Sequence, residues 1–103
     1  MEALFIGTNG RVSAIHPSTG STLWTTRLDG GSFFSSTGYQ DVSVLVYQGT
    51  VFAGCAGHIF GLDAGSGDIL WHNDLKGQGH NDISLTMEGV SVQFLQKVVR
   101  RQA

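Results

Sequence analysis

The stretch Gly61-Leu62-Asp63-Ala64-Gly65-Ser66-Gly67-Asp68-Ile69-Leu70-Trp71 decides the fold, because a second version of it lies 47 positions earlier. That version reads Ala14-Ile15-His16-Pro17-Ser18-Thr19-Gly20-Ser21-Thr22-Leu23-Trp24. Extending the comparison outward aligns residues 4–30 with 51–77. Eight of the 27 pairs are identical: Phe5/Phe52, Gly7/Gly54, Gly10/Gly57, Gly20/Gly67, Leu23/Leu70, Trp24/Trp71, Leu28/Leu75 and Gly30/Gly77. Unrelated stretches of ordinary composition would share about two. Leu4/Val51, Val12/Ile59 and Ile15/Leu62 are conservative pairs besides. A further match has a different shift. Gly38-Tyr39-Gln40-Asp41-Val42-Ser43-Val44 resembles Gly79-His80-Asn81-Asp82-Ile83-Ser84-Leu85, 41 positions later. The difference between the shifts, six residues, is an insertion at about residues 32–37 in the first copy. Duplication at this spacing is the mark of a repeat architecture.

Each copy reads as strands. Residues 4–7 and 51–54 are apolar runs closed by glycine, and 11–16 and 58–63 follow a glycine turn. Residues 21–28 and 68–75 follow Ser-Thr-Gly and Gly-Ser-Gly. Residues 41–47 and 82–87 alternate: Ile83, Leu85 and Met87 share one face, Ser84, Thr86 and Glu88 the other. The chain has 15 glycines and one proline, and the glycines fall between apolar runs, as tight turns require. Short strands with regular turn signals indicate an all-β chain. No helical period occurs before residue 90.

The two quoted stretches resemble the tryptophan-docking motif of PQQ-like (quinoprotein-type) β-propellers, Ala-x-Asp-x-x-x-Gly-x-x-x-Trp. Leu4-Phe5-Ile6-Gly7-Thr8-Asn9-Gly10 and Val51-Phe52-Ala53-Gly54-Cys55-Ala56-Gly57 resemble the family's preceding signature, (Val/Leu)-(Phe/Tyr)-x-Gly-x-x-Gly. The resemblance covers residues 4–88. It departs at His16, where the family has aspartate, and at Gly61, where it has alanine. It implies four-stranded antiparallel blades, each running from an inner to an outer strand, with Trp24 and Trp71 as structural anchors between blades.

Residues 41–75 then supply one whole blade, and the first repeat lacks its inner strand. Residues 82–88 form a surplus inner strand. The expected domain is a two-blade unit over 1–89, with repeats at about 4–30 and 41–77, followed by a tail, 90–103, that is either a strand or a short helix. Open sheet edges invite pairing and large apolar faces mark interfaces. The expectation is therefore a homo-oligomer in which the 82–88 strand of one chain completes the first blade of the next. A cyclic ring would close with eight blades from four chains, or in a trimer with six.

Charged residues make up 14% of the chain, against roughly 25% in an average domain, which fits a surface covered by other copies. Net charge is −2, with no footprint of a nucleic-acid binder. The basic run Lys97-Val98-Val99-Arg100-Arg101 reads as a solvated end. From Met1-Glu2-Ala3-Leu4 neither a signal peptide nor a membrane span is expected. The single cysteine, Cys55, cannot form an intramolecular disulfide and fits a reducing, cytoplasmic setting. It reads as a small buried apolar residue.

No catalytic set emerges. The four histidines, His16, His58, His72 and His80, make no His-x-His or His-x-x-x-His pair, so no metal site is expected. Gly7-Thr8-Asn9-Gly10 and residues 63–67 lack the lysine and helix of a phosphate loop. Quinoprotein dehydrogenases, which the repeat resembles, add a cofactor pocket with calcium-binding carboxylates and often a vicinal disulfide; one cysteine excludes the disulfide, and no cofactor is expected. The candidate site is positional. Tyr39, Gln40, Asp41, His80, Asn81 and Asp82 lead into the inner strands, which in a propeller lie at one mouth of the channel. Ring symmetry would gather their carboxylates there and attract cations or basic ligands. The other reading of Asp41 and Asp82 is that they cap turns. Phe33 and Phe34, in the insertion, are either a partner or inter-subunit contact or a cover over a blade edge. The expected function is a non-catalytic, self-assembling scaffold that binds a protein or small ligand. The alternatives are a relative of the dehydrogenases and a piece of a longer propeller.

Overall fold

The structure, a computed structural model, describes residues 2–28 and 40–89. It contains seven strands: β1 (Leu4–Thr8), β2 (Arg11–Ile15), β3 (Thr22–Arg27), β4 (Ser43–Tyr47), β5 (Thr50–Cys55), β6 (His58–Asp63) and β7 (Ile69–Asn73). They form two antiparallel sheets in simple meander order, β1-β2-β3 and β4-β5-β6-β7. The chain is all-β over the described residues, and the second repeat is a complete four-stranded unit, as its sequence predicts.

Three two-residue turns set the hairpin registers. Asn9-Gly10, Gln48-Gly49 and Ala56-Gly57 all have positive φ at both positions, the backbone that matches strand twist in tight hairpins. A bulge recurs at the same place in both sheets, between Ala14 and Ile15 and between Gly61 and Leu62.

Cross-strand pairing fixes the faces. Phe5 pairs with Ala14 and Gly7 with Val12, and Trp24 and Thr26 continue the same rows. In the second sheet Val51 pairs with Leu62, Ala53 with Phe60 and Cys55 with His58, with His72 opposite Phe60. These two faces meet. Val12, Leu28, Val51, Ala53, Cys55, Phe60 and Leu62 are all fully buried in one cluster. Burying side chains such as Phe60 and Leu62 contributes ~1.5–3 kcal/mol each. Gly7 permits the close approach: Val42, just before β4, lies where a Cβ on Gly7 would stand, 2.8 Å from its Cγ1.

Within a single chain the expected strand at 82–88 is without its assigned partner, the first blade of a second copy. Residues 82–86 belong to neither sheet, and Met87 makes a single bridge. The reason is geometric. Ile83 packs on Gly54, on the outward face of the second sheet, 2.8 Å from its Cβ to a Cβ built there. The first sheet lies against the opposite face. The β1 edge, to which the repeat assigns this strand, is therefore out of its reach within one chain. The insertion at 32–37 and the tail at 90–103 lie outside the described residues.

Candidate functional site

The contact between the sheets is built from the repeated motif. Trp24, on β3, reaches the turn between β6 and β7. Its indole Nε1 donates to the Ala64 carbonyl at 3.1 Å, and Thr26 Oγ1 donates to the Gly67 carbonyl at 2.6 Å. Gly67 has φ +81°, and a Cβ there would lie 2.5 Å from Trp24 Cε3. Only glycine meets both demands at once.

Asp63 braces that turn. Its Oδ2 accepts from Gly65 N at 3.1 Å, Ser66 N at 2.9 Å and Ser66 Oγ at 3.1 Å. In the first repeat His16 stands in its place, and its Nδ1 accepts from Ser18 N at 3.2 Å. The backbone is nonetheless the same. Gly67 N donates to Asp63 O and Gly20 N to His16 O, both at 2.8 Å. The departure from the motif changes the side-chain bonds and leaves the turn intact.

Trp71 occupies the position of Trp24 in the second sheet and lies 43% exposed. Its packing on its own sheet is the same: Phe5 and Trp24 have ring centroids 5.9 Å apart at 45°, Phe52 and Trp71 6.1 Å apart at 44°. At Gly61 the Trp71 ring fills the space a Cβ would take.

The residues leading into the inner strands are placed as follows. The Gln40 carbonyl accepts from Gly10 N at 2.9 Å, which ties this loop to the first sheet. Asp41, His80, Asn81 and Asp82 are exposed. Gly79 and His80 lie against Gly57 as Gln40 lies against Gly10, so the two loops sit on equivalent hairpin turns. Burial first, then the Asp82 and Asp41 carboxylates, push the Cys55 thiol up to about 11. Tyr39, Phe33 and Phe34 lie outside the described residues.

The structure also brings together three histidines that are 8 to 22 positions apart in the sequence. His58 Nδ1 and His72 Nε2 share a hydrogen bond of 3.1 Å, and the rings of His58 and His80 lie 6.3 Å apart. His72 stacks on Phe60 at 4.7 Å. His58 is buried, and that burial, followed by repulsion from His72 and His80, lowers its affinity for a proton against the opposing pull of Asp74. An open cleft of about 490 Å³ adjoins it, lined by His58, Asp74, Lys76 and His80 among others. Sequence spacing hides this group. The signal that reveals it is the β6–β7 register, which sets His72 opposite Phe60, two positions along β6 from His58 and on the same face. Among the described residues, no three His, Cys, Asp or Glu side chains are placed to hold a metal ion. No helix among them is long and apolar enough to cross a membrane.

Antiparallel meander sheets stacked face to face, with the tryptophan of one seated on the outer turn of the next, define a β-propeller repeat. The particular family follows from comparison. The family model described as "Outer membrane protein assembly factor BamB", of the PQQ-like repeat type, matches residues 3–101, and the chain belongs to that family. No curated protein matches the chain.

Proposed function

We propose that the chain is a non-catalytic propeller scaffold that closes a ring by association with further copies of itself. In this reading four chains give eight blades, with three chains and six blades as the next possibility. The channel mouth, bordered by Gln40, Asp41, His80, Asn81 and Asp82, receives a protein or small ligand. Its acidic loops favour a cationic one.

The observation that carries the reading is the difference between the two equivalent tryptophans. Trp24 is seated on a neighbouring turn, while Trp71, in the same pose, stays exposed. Both outer faces of the pair also present large apolar side chains: Leu4 and Ile6 on the first sheet, and Trp71 on the second. Exposed patches of this kind mark interaction surfaces. Light scattering on the full chain tests the reading. A mass of three or four times the 11.0 kDa chain supports it. A monomer at micromolar concentration overturns it.

A further inference from the structure

His58 and His72, at one end of β6 and β7, have no part in the scaffold reading. Their nearest ring nitrogens, His58 Nδ1 and His72 Nε2, stand 3.1 Å apart, with the ring centroids 5.3 Å apart. Imidazole nitrogen binds zinc at about 2.0–2.1 Å. An ion at that distance from both nitrogens would see them at about 95–100°, between the right angle of square-planar or octahedral ligation and the tetrahedral angle. We infer that His58 and His72 form a two-histidine chelate for a first-row divalent transition ion such as Zn²⁺, with water from the adjoining cleft completing its shell.

The fold sets both rings in place. His58 is buried at the head of β6, opposite Cys55 across the two-residue turn Ala56-Gly57. The β6–β7 register puts His72 opposite Phe60, on the face that carries His58. Phe60 is fully buried and stacks on the His72 ring at 4.7 Å and 27°. His72 is exposed, and its ring can pivot in its own plane on that aromatic face, which aims both lone pairs at the ion. Ligands held by packing lose little freedom on binding, which favours a chelate.

Without an ion the two rings share one hydrogen. Whichever ring donates it, that hydrogen passes to the other nitrogen of the same ring when the ion takes its place, so both ligate as neutral imidazoles. The cleft of about 490 Å³ beside His58 is open, which gives water access to the ion. Asp74 on its wall supplies a negative charge, and Lys76 opposes it. His80 is not counted as a ligand, since its ring lies 6.3 Å from that of His58. Imidazole ligands suit zinc, nickel and copper, whereas Mg²⁺ and Ca²⁺ take oxygen.

Calorimetric titration of the full chain with Zn²⁺ tests the site. One ion per chain is expected, with no change of mass in light scattering. His58→Gln and His72→Gln should each weaken binding at least about a hundredfold, because each leaves one ligand where two act together. His16→Gln, in the first repeat, should bind as the parent does. Circular dichroism confirms that each variant is folded, and the exposed His72 gives a variant that tests the site even where the buried His58→Gln unfolds the chain. A parent chain that binds no Zn²⁺ overturns the inference. So does a His72→Gln variant that binds as tightly as the parent, or Mg²⁺ bound as tightly as Zn²⁺. One ion per two chains with a doubled mass also overturns it, since the ion would then bridge copies rather than sit within one.

Discussion

At the scale of single residues, two glycines with the same backbone differ only in what lies above them. Gly20 and Gly67 have φ of +79° and +81°. An alanine in this region costs ~1–2 kcal/mol whatever its neighbours. At Gly67 the added methyl also meets Trp24 and Thr26 Oγ1 at 2.5 and 2.7 Å. Overpacking of that kind costs a further ~1–3 kcal/mol. Urea unfolding of the dilute chain should therefore show Gly67→Ala more destabilised than Gly20→Ala by ~1–3 kcal/mol, and equal losses would mean the indole is not seated. His58 supports a pH prediction. Its folded proton affinity is lowered, so the unfolded chain takes up a proton first, near the ordinary imidazole value of ~6.5. Stability contributed by the neutral ring is thus present above that pH and is lost as pH falls through it toward the folded value. Thermal midpoints measured from pH 8 to 5 should fall on the acid side, and His58→Gln should flatten that fall.

Among the elements, the outer turns show which part of a motif carries the structure. Asp63 accepts three hydrogen bonds, whereas His16 Nδ1 accepts from Ser18 N, yet the backbone bonds around both turns have the same lengths. The glycine at the end of the turn sets its path, and the carboxylate adds rigidity. His16→Asp should therefore stabilise the chain by ~0.5–1 kcal/mol, the modest end of the range for added hydrogen bonds, read as a raised urea midpoint with unchanged slope. The same logic explains what the sequence discloses. Strands were legible because glycine turns separate short apolar runs, and each run occurs in both copies of the repeat. The histidine group was not legible, because His58 and His72 meet only through the β6–β7 register and His80 arrives on an irregular loop. The alternation of residues 82–87 is a true strand pattern with no edge to pair within its own chain. Period-two patterning reports which residues share a face, but a strand also needs a neighbour to bond.

For the molecule as a whole, the order of its parts sets how stability should depend on concentration. The inner faces of the two sheets bury Val12, Leu28, Val51, Ala53, Phe60 and Leu62 completely, whereas the outer faces leave Leu4, Ile6 and Trp71 exposed. If further copies cover those outer faces, folding is linked to association, and mass action favours the folded assembly as concentration rises. The thermal midpoint of the parent chain should then climb with each tenfold rise in concentration across the range where its mass changes. Trp71→Ala should abolish most of that climb, on top of a concentration-independent loss from the packing of its ring on Phe52 and Gly61 within its own sheet. A Trp24 substitution must behave in the opposite way. Trp24→Phe removes the indole donor to Ala64 inside the chain, so its loss should be as large at high dilution as at high concentration. Two equivalent tryptophans, one sensitive to dilution and one not, would separate the interface that the chain completes alone from the one it completes with a partner. A parent midpoint independent of concentration, with both substitutions equally costly at every dilution, would show that neither tryptophan makes a contact between copies.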